Sequence, residues 1–471
     1  MENIEKYDIC IVKMSRTRYN IEKSTQGDLN MEKLALLGGP VSKFPDKPMG
    51  DLFRWPIISK EDEEGVLDVV RNNRFSRFDI TEKFQDQYAA WQGNKYAIAY
   101  CNGTMALTAA MFAIGLGVGD EIICPTKTYW GSVSQAINFG ASAVFCNINE
   151  MLSMDPDDLE RCITPRTKAI MVVHYYSYPA DMDRIMEIAN KHNLYVLEDC
   201  SHAHGATYKG RKVGTFGHVA AMSMMSFKSF AAGELGMLTT DDRTIYERAM
   251  AFGHYERNNS AYITETEDLK QYSHIALGGV KGRANQVSSV LALGQLKYYD
   301  ERTKEIRKAM NYFWDLIEDL PGIRPIRVDE STGSHMGGWY EPHGAYHPEE
   351  LGGLSVNRFA EAIRAQGFAN CWDGGNFCLH THPFFKNFDF YNLGKPSRIA
   401  FNDRDVREDD IYLKPSESRW CFSVPWLKKF DKEWIEAYAN VYRTVIENHE
   451  QLLDADRKQQ QGGRWYGTDN A

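Results

Sequence analysis

Residues 194–200 read Leu194-Tyr195-Val196-Leu197-Glu198-Asp199-Cys200, an apolar run that ends in two acids. It is too short for an ordinary helix and ends abruptly, so it is expected to be a buried strand. Just before it, Met182–His192 has helical spacing, and the same alternation recurs outward in both directions. Further strand candidates are Lys95–Cys101, Glu121–Cys124, Ala143–Ile148, Lys168–Tyr176 and Ala220–Met224. Helical patterns lie at Thr104–Ile114, Trp130–Phe139 and Asp157–Cys162, the last with Asp155-Pro156 as cap and first turn. Short apolar strands separated by helices imply an α/β protein with a large, mostly parallel sheet covered on both faces.

From about residue 320 the texture changes to a smaller α+β segment, with Asn357–Ala365 and Lys432–Glu450 as its clearest helices. The expected organisation is a loose extension over 1–30, a large domain over 31–315 and a small C-terminal domain over 316–455. A mobile tail over 456–471 completes it. Met31, ahead of Leu34-Ala35-Leu36-Leu37-Gly38-Gly39-Pro40, is a candidate for the true start.

With 471 residues, 43% hydrophobic and 25% charged, the chain can bury a large core without staples. A net charge of −10 with scattered basic residues argues against nucleic acid or an anionic membrane as partner. No stretch reaches the roughly 18 apolar residues of a membrane span. The N-terminus lacks a secretory apolar core, so a cytoplasmic location is expected. Nine widely spaced cysteines without a CxxC pair suggest neither a disulfide framework nor a zinc site. No metal is expected.

In open α/β sheets, ligands collect at the carboxyl ends of the strands. Three features fall there. Asn102-Gly103-Thr104 joins a strand to a helix; it reads as a phosphate cradle or as a plain capped helix start. Glu198-Asp199 ends a strand; such acids serve as caps or salt bridges, or hold a pyridine nitrogen protonated. Lys228 sits in Ser223-Met224-Met225-Ser226-Phe227-Lys228-Ser229-Phe230-Ala231-Ala232-Gly233-Glu234-Leu235-Gly236. Lone loop lysines are usually solvated, but this run reads as buried, and a desolvated amine is a better nucleophile.

Together these coincide with a known pattern. Over Met31–Asn448 the chain resembles the DegT/StrS-type sugar and cyclitol aminotransferases of fold type I. The landmarks are Trp55-Pro56, Asn102-Gly103-Thr104-Met105-Ala106-Leu107, Asp181-Met182-Asp183 and Glu198-Asp199-Cys200-Ser201-His202-Ala203-His204-Gly205-Ala206. Ser223, Lys228, Gly233-Glu234, Arg283 and Gly294-Gln295-Leu296 extend them. The wording around Asp199 is most similar to the aminohydroxybenzoate synthase and inosose aminotransferase branch.

The resemblance implies pyridoxal 5'-phosphate (PLP, alternating with its amine form PMP) as cofactor. It implies Lys228 as the Schiff-base lysine and proton carrier, and Asp199 as partner of the pyridinium nitrogen. Ser201 and His202 would lie by the ring and its phenolic oxygen, and Tyr129 would stack on it. Gly103, Thr104 and Ser223 would bind the phosphate, and Lys281 and Arg283 would act across a homodimer interface. Lys281 stands where the family usually has asparagine, and Leu235 and His202 are further departures. The implied reaction moves an amino group from glutamine or glutamate to a keto sugar or keto cyclitol. The alternatives are an aromatising aminohydroxybenzoate synthase, a PMP-dependent sugar dehydratase, against which Lys228 speaks, and a non-catalytic protein of this fold.

Three further patterns were weighed. Gly115-Leu116-Gly117-Val118-Gly119 follows a helix, so it reads as a helix-to-strand turn and not a dinucleotide loop. Cys378, His380 and His382 alternate; a structural or substrate-lining role is favoured over a metal half-site. His254 is expected to line the substrate pocket or to lie satisfied at the surface. Specificity is assigned to Ser331–His347 and Asn376–Phe388.

Overall fold

The computed structural model describes residues 33–456. The expected extension over 1–30, the start at Met31 and the tail from 457 onward lie outside the described residues. The strands are β1 Tyr96–Tyr100, β2 Glu121–Pro125, β3 Ser142–Cys146, β4 Thr167–Val173 and β5 Tyr195–Asp199. A small hairpin, β6 Thr207–Tyr208 and β7 Arg211–Lys212, precedes β8 Val219–Ser223 and β9 Gly236–Thr240. Seven of these form one sheet in the order β1-β9-β8-β5-β4-β2-β3. From β8 through β3 every pair is parallel, and β9 runs antiparallel to both of its neighbours.

The covering of both faces shows in successive residues of one strand. Ile122 packs with Leu107 and Met111 of the helix Gly103–Ala113. Ile123, pointing the other way, packs with Ile185 and Ala189 of the helix Met182–His192. That burial on both sides is why β2 and β3 read as continuous apolar runs.

Two sequence expectations change. Strand β9 was not among the candidates: it is five residues long, ends in Thr239-Thr240 and follows a glycine-rich loop that reads as ligand-binding. The expected helix Trp130–Phe139 is instead two 3-10 segments, Trp130–Ser132 and Ser134–Phe139, broken at Val133 with φ −140°. Gly131 and the β-branched Val133 weaken a helix there. The side chain of Ser132 supplies the tertiary reason below.

The helix Gln286–Asp315 leads from the sheet to a second layer. Helix Lys60–Arg71 lies against it, and a Cβ at Gly294 would stand 1.7 Å from Asp62 Oδ1, so the Gly294-Gln295-Leu296 landmark is a close-packing feature. Strands β10 Ile323–Pro325, β11 His343–Tyr346 and β12 Cys421–Ser423 pair antiparallel. Helices Val356–Gln366 and Lys432–Glu447 supply Phe359, Ile363, Ile435 and Tyr442 to the core of this half. Residues 379–413 return to the large sheet, where Leu379, Phe385 and Leu413 join the core that holds β3.

Candidate active site

The carboxyl ends of β1, β4, β5 and β8 surround a cavity of ≈ 340 Å³. At the end of β1, Asn102 accepts from the Met105 N–H at 2.8 Å and caps the following helix. Gly103 and Thr104, in the first turn of that helix, line the cavity. A Cβ at Gly103 would lie 2.6 Å from Ser223 Cβ, so glycine lets the helix begin close against the end of β8. Anions are favoured at such a start.

Asp199, the last residue of β5, is 5% exposed. Ser132 Oγ donates to its Oδ2 at 2.7 Å, and the Ser201 N–H donates to its Oδ1 at 3.0 Å. The break in the expected Trp130–Phe139 helix is what turns Ser132 toward this carboxylate. Each oxygen keeps capacity for a further donor. The neighbouring Glu198 serves a different purpose. It accepts from the Gly214, Phe216 and Gly217 N–H groups and pairs with His174 at 3.0 Å, a buried brace of the fold.

The ends of β5 and β8 are tied together through Ser223. Its N–H donates to Ser201 Oγ at 3.0 Å, and its carbonyl accepts from His204 Nε2 at 2.8 Å. Burial brings His204 to about 4, so it is neutral and its bonded nitrogen carries the proton.

Lys228 is buried and lines the same cavity. Its carbonyl accepts from Trp55 Nε1 at 3.0 Å, which gives the Trp55-Pro56 landmark a role in holding the lysine backbone. Its Nζ stands 4.2 Å from the centroid of the Tyr340 ring. Burial lowers the amine from its ordinary value to about 8, while the charges of Glu341 and Asp199 pull it partly back. His202 packs between Tyr175 and Tyr340, at 5.3 and 4.5 Å between ring centroids. Its Nδ1 accepts from the Tyr176 N–H at 3.3 Å, which leaves the proton on Nε2. Burial first, then the Lys228 charge, holds His202 well below the usual imidazole range, so the ring is neutral.

Gly103, Thr104, Tyr129, Asp199, Ser201, His202, Ser223 and Lys228 thus share one cavity. Lys281 and Arg283 do not reach it within the chain. Lys281 is exposed, with Nζ 5.1 Å from the Tyr255 ring, and Arg283 pairs with Glu256. His254 is neither at the surface nor in the cavity: it is buried edge-on against Tyr100 at 4.9 Å and accepts from Arg257. Cys378, His380 and His382 are not an extended strand, because Leu379–Thr381 is a 3-10 turn. Thr126 and Glu417 engage both ring nitrogens of His380, so its role is structural. Gly115–Gly119 connects a helix to β2, as expected of a turn.

Sequence reasoning missed Ser132, Trp55's bond to Lys228, and the wall formed by Tyr340, Glu341 and Asn376. Tyr340 and Glu341 fall inside the Ser331–His347 segment singled out for specificity. No local motif distinguishes them.

The comparisons with known proteins agree with this geometry. The DegT/DnrJ/EryC1/StrS aminotransferase family matches residues 56–387. The chain belongs to this family. It is a PLP-dependent aminotransferase, and the fold is type I. Among relatives of this family, the spore coat polysaccharide biosynthesis protein SpsC of Bacillus subtilis is 31% identical over 370 residues. That match covers 78% of this chain and 92% of the relative. A putative L-glutamine:3-amino-2,3-dideoxy-scyllo-inosose aminotransferase of Micromonospora echinospora is 30% identical, covering 83% and 90%. Of solved structures, the aminotransferase from Psychrobacter cryohalolentis superposes with a TM-score of 0.71 at 27% identity. It covers 84% of this chain and 99% of that one. The 3-amino-5-hydroxybenzoic acid synthase structure gives a TM-score of 0.70 at 24% identity, covering 87% and 100%, a likeness of fold.

Proposed function

We propose that this aminotransferase moves an amino group from glutamine or glutamate to a keto sugar or keto cyclitol, with PLP and PMP alternating in the cavity. The observation that carries the reading is Lys228: a buried amine, brought to about 8, in one cavity with an Asp199 carboxylate oriented by two donors. The residues present fit the cofactor. A carboxylate, an amine, a tyrosine and a glycine-led helix start surround a space of ≈ 340 Å³.

When bound, PLP supplies an aldehyde carbon that accepts the amino group and a ring that withdraws electrons from the reacting carbon. Lys228 would hold it covalently and carry the proton between neighbouring carbons. Asp199 would face the ring nitrogen, with Ser132 and the Ser201 N–H orienting its carboxylate. Neutral His202 and Ser201 would donate toward the ring oxygen, and Tyr129 would cover one ring face. Gly103, Thr104 and Ser223 would hold the phosphate.

The reading includes a cytoplasmic homodimer in which Lys281 and Arg283 reach the partner's phosphate site. It is supported by exposed apolar residues beside the cavity: Phe227, next to Lys228, is 63% exposed and Trp130, next to Tyr129, is 41% exposed. The cysteines among the described residues are free, and no described helix is long and apolar enough to cross a membrane. We divide the chain into a large PLP-binding domain over 31–315 and a small domain over 316–455, at the end of the helix Gln286–Asp315, except that residues 379–413 pack back on the large sheet. Glutamine is favoured as donor because relatives at about this identity are named for it.

The test is a pair of half-reactions. PLP-loaded protein mixed with L-glutamine should lose its visible absorbance as PMP forms, and a keto cyclitol added afterwards should restore it. Absence of both changes with every amino acid offered would overturn the reading.

A further inference from the structure

A second cavity of ≈ 610 Å³ adjoins the first and shares Tyr176, Glu341 and Asn376 with it. Its walls are aromatic at Phe53, Trp372 and Trp426, with Asn370 and Ser423 as polar points. Lys428 also lines it. This lysine is 8% exposed, and its Nζ has no hydrogen-bond partner among the described residues. Among the described residues two rings flank the amine: Trp426 lies against it, and the Trp55 centroid is 5.6 Å away. The titratable groups that line the cavity with it are Glu341, His343 and Tyr176. Glu341 acts on Lys428 through space, while its own Oε1 accepts from the Tyr340 O–H at 3.1 Å.

An ammonium buried without a partner is costly. Burial accordingly drives the Lys428 amine well below the ordinary lysine range. Nothing in the chemistry at Lys228 uses this group. A negatively charged ligand would change its state: the amine would take up a proton and gain charge-assisted hydrogen bonds in a region shielded from water. Aromatic walls suit the C–H faces of a sugar or cyclitol ring. Tyr176, Glu341 and Asn376 form the wall that the second cavity shares with the cavity of Lys228.

We propose that this cavity receives the amino acceptor and that Lys428 binds an anionic substituent on it, a phosphate or a carboxylate, while the keto carbon reaches the first cavity past Tyr176, Glu341 and Asn376. The proposal rests on the aminotransferase reading and names the class of acceptor: a keto sugar or cyclitol that carries an anion.

The test uses the PLP-loaded protein with glucose 1-phosphate, glucuronate and glucose as probes. Binding is followed by tryptophan fluorescence, from Trp372 and Trp426, and by calorimetry in two buffers of different ionisation enthalpy. The expected result is that at least one anionic sugar binds tenfold or more tighter than glucose, with net proton uptake. Phosphate against carboxylate is decided by which one does. Lys428→Met should lose that preference while Lys428→Arg keeps it. Equal affinity for all three probes, a preference retained in Lys428→Met, or damage by Lys428→Met confined to the glutamine half-reaction would each overturn the proposal. Should Lys428→Met fail to fold, Trp372→Ala at the exposed rim should weaken all three probes about tenfold, and unchanged affinity there would overturn it as well. The glutamine-driven absorbance change on the same sample tests the aminotransferase reading separately, because anion preference is read without turnover.

Discussion

The floor of the active-site pocket and its far wall are built on different terms. On the floor, at the ends of β5 and β8 and in the loop from β8 to β9, both carboxylate oxygens of Asp199, both backbone groups of Ser223 and the carbonyl of Lys228 have hydrogen-bond partners. On the wall, residues 339–343 present rings and charges on an irregular loop, with left-handed φ at Trp339 (52°) and Glu341 (43°). Beyond it lies Lys428, whose amine has no hydrogen-bond partner among the described residues. The difference separates two tasks. On the proposed reading, the groups that would meet the cofactor are strand ends and loop residues tied by hydrogen bonds, and the groups that would sort substrates sit on loops that can vary without disturbing the sheet.

Four changes would break or sharpen this contrast. The largest effect is expected on the floor. Lys228→Ala should lower turnover by about 10³-fold or more, since it removes both a nucleophile and a proton carrier. Steady-state rates with unchanged circular dichroism would check it, and near-normal turnover would place the chemistry elsewhere.

Next is Ser132→Ala. A hydrogen bond to a charged group contributes about 1.5–3 kcal/mol, so loss of this buried donor to Asp199 should cost on the order of tenfold in kcat/KM. The contrast predicts that the cost falls on every acceptor alike. A loss that depended on the acceptor would move Ser132 to the wall.

The third concerns pH. On the proposed reading it is the neutral amine of Lys228 that would take up the cofactor, and burial has lowered that amine to about 8. A lowered lysine gives up its proton at lower pH than in the unfolded chain. The rate of PLP capture by the cofactor-free protein should therefore rise from pH 7 to pH 9 with a midpoint near 8. Stopped-flow absorbance would show it; a midpoint above 10 would mean that the amine is solvated.

The smallest effect joins the two regions. Glu341 is the foremost of the two charges that raise Lys228 against burial. Glu341→Gln should therefore move the capture midpoint downward, by less than one pH unit, and leave the spectrum of the loaded protein unchanged. An upward move would contradict the geometry.

Much of the floor was legible in the chain. Asp199 announced itself as a charge at the end of an apolar strand, and Lys228 as a charge inside an apolar run, because desolvation of a charge shows in one dimension. Asn102-Gly103-Thr104 carried both of its candidate roles, as a cap and as part of the cavity lining. Ser132 did not show, since the sequence around it suggested a regular helix, and its partner Asp199 lies 67 residues away. Tyr340, Glu341 and Lys428 were invisible for the same reason. Their local surroundings are ordinary, and their meaning comes from distant partners. His254 misled because loop position says nothing about which neighbours satisfy a ring nitrogen, whereas the structural role favoured for His380 agrees with its bonds to Thr126 and Glu417.

The sequence by itself determined the alternation of strands and helices and the two-sided burial of the sheet, and it marked Lys228 and Asp199 as charges in apolar surroundings, the two positions to which the resemblance gives the cofactor. These depend on short-range periodicity and on the cost of burying a charge. Tertiary structure alone decided the break that delivers Ser132, the hold of Trp55 on Lys228 and the aromatic wall that leaves Lys428 without a partner. Each of those joins residues tens to hundreds of positions apart, and such a contact exists only once the sheet and the second layer have packed.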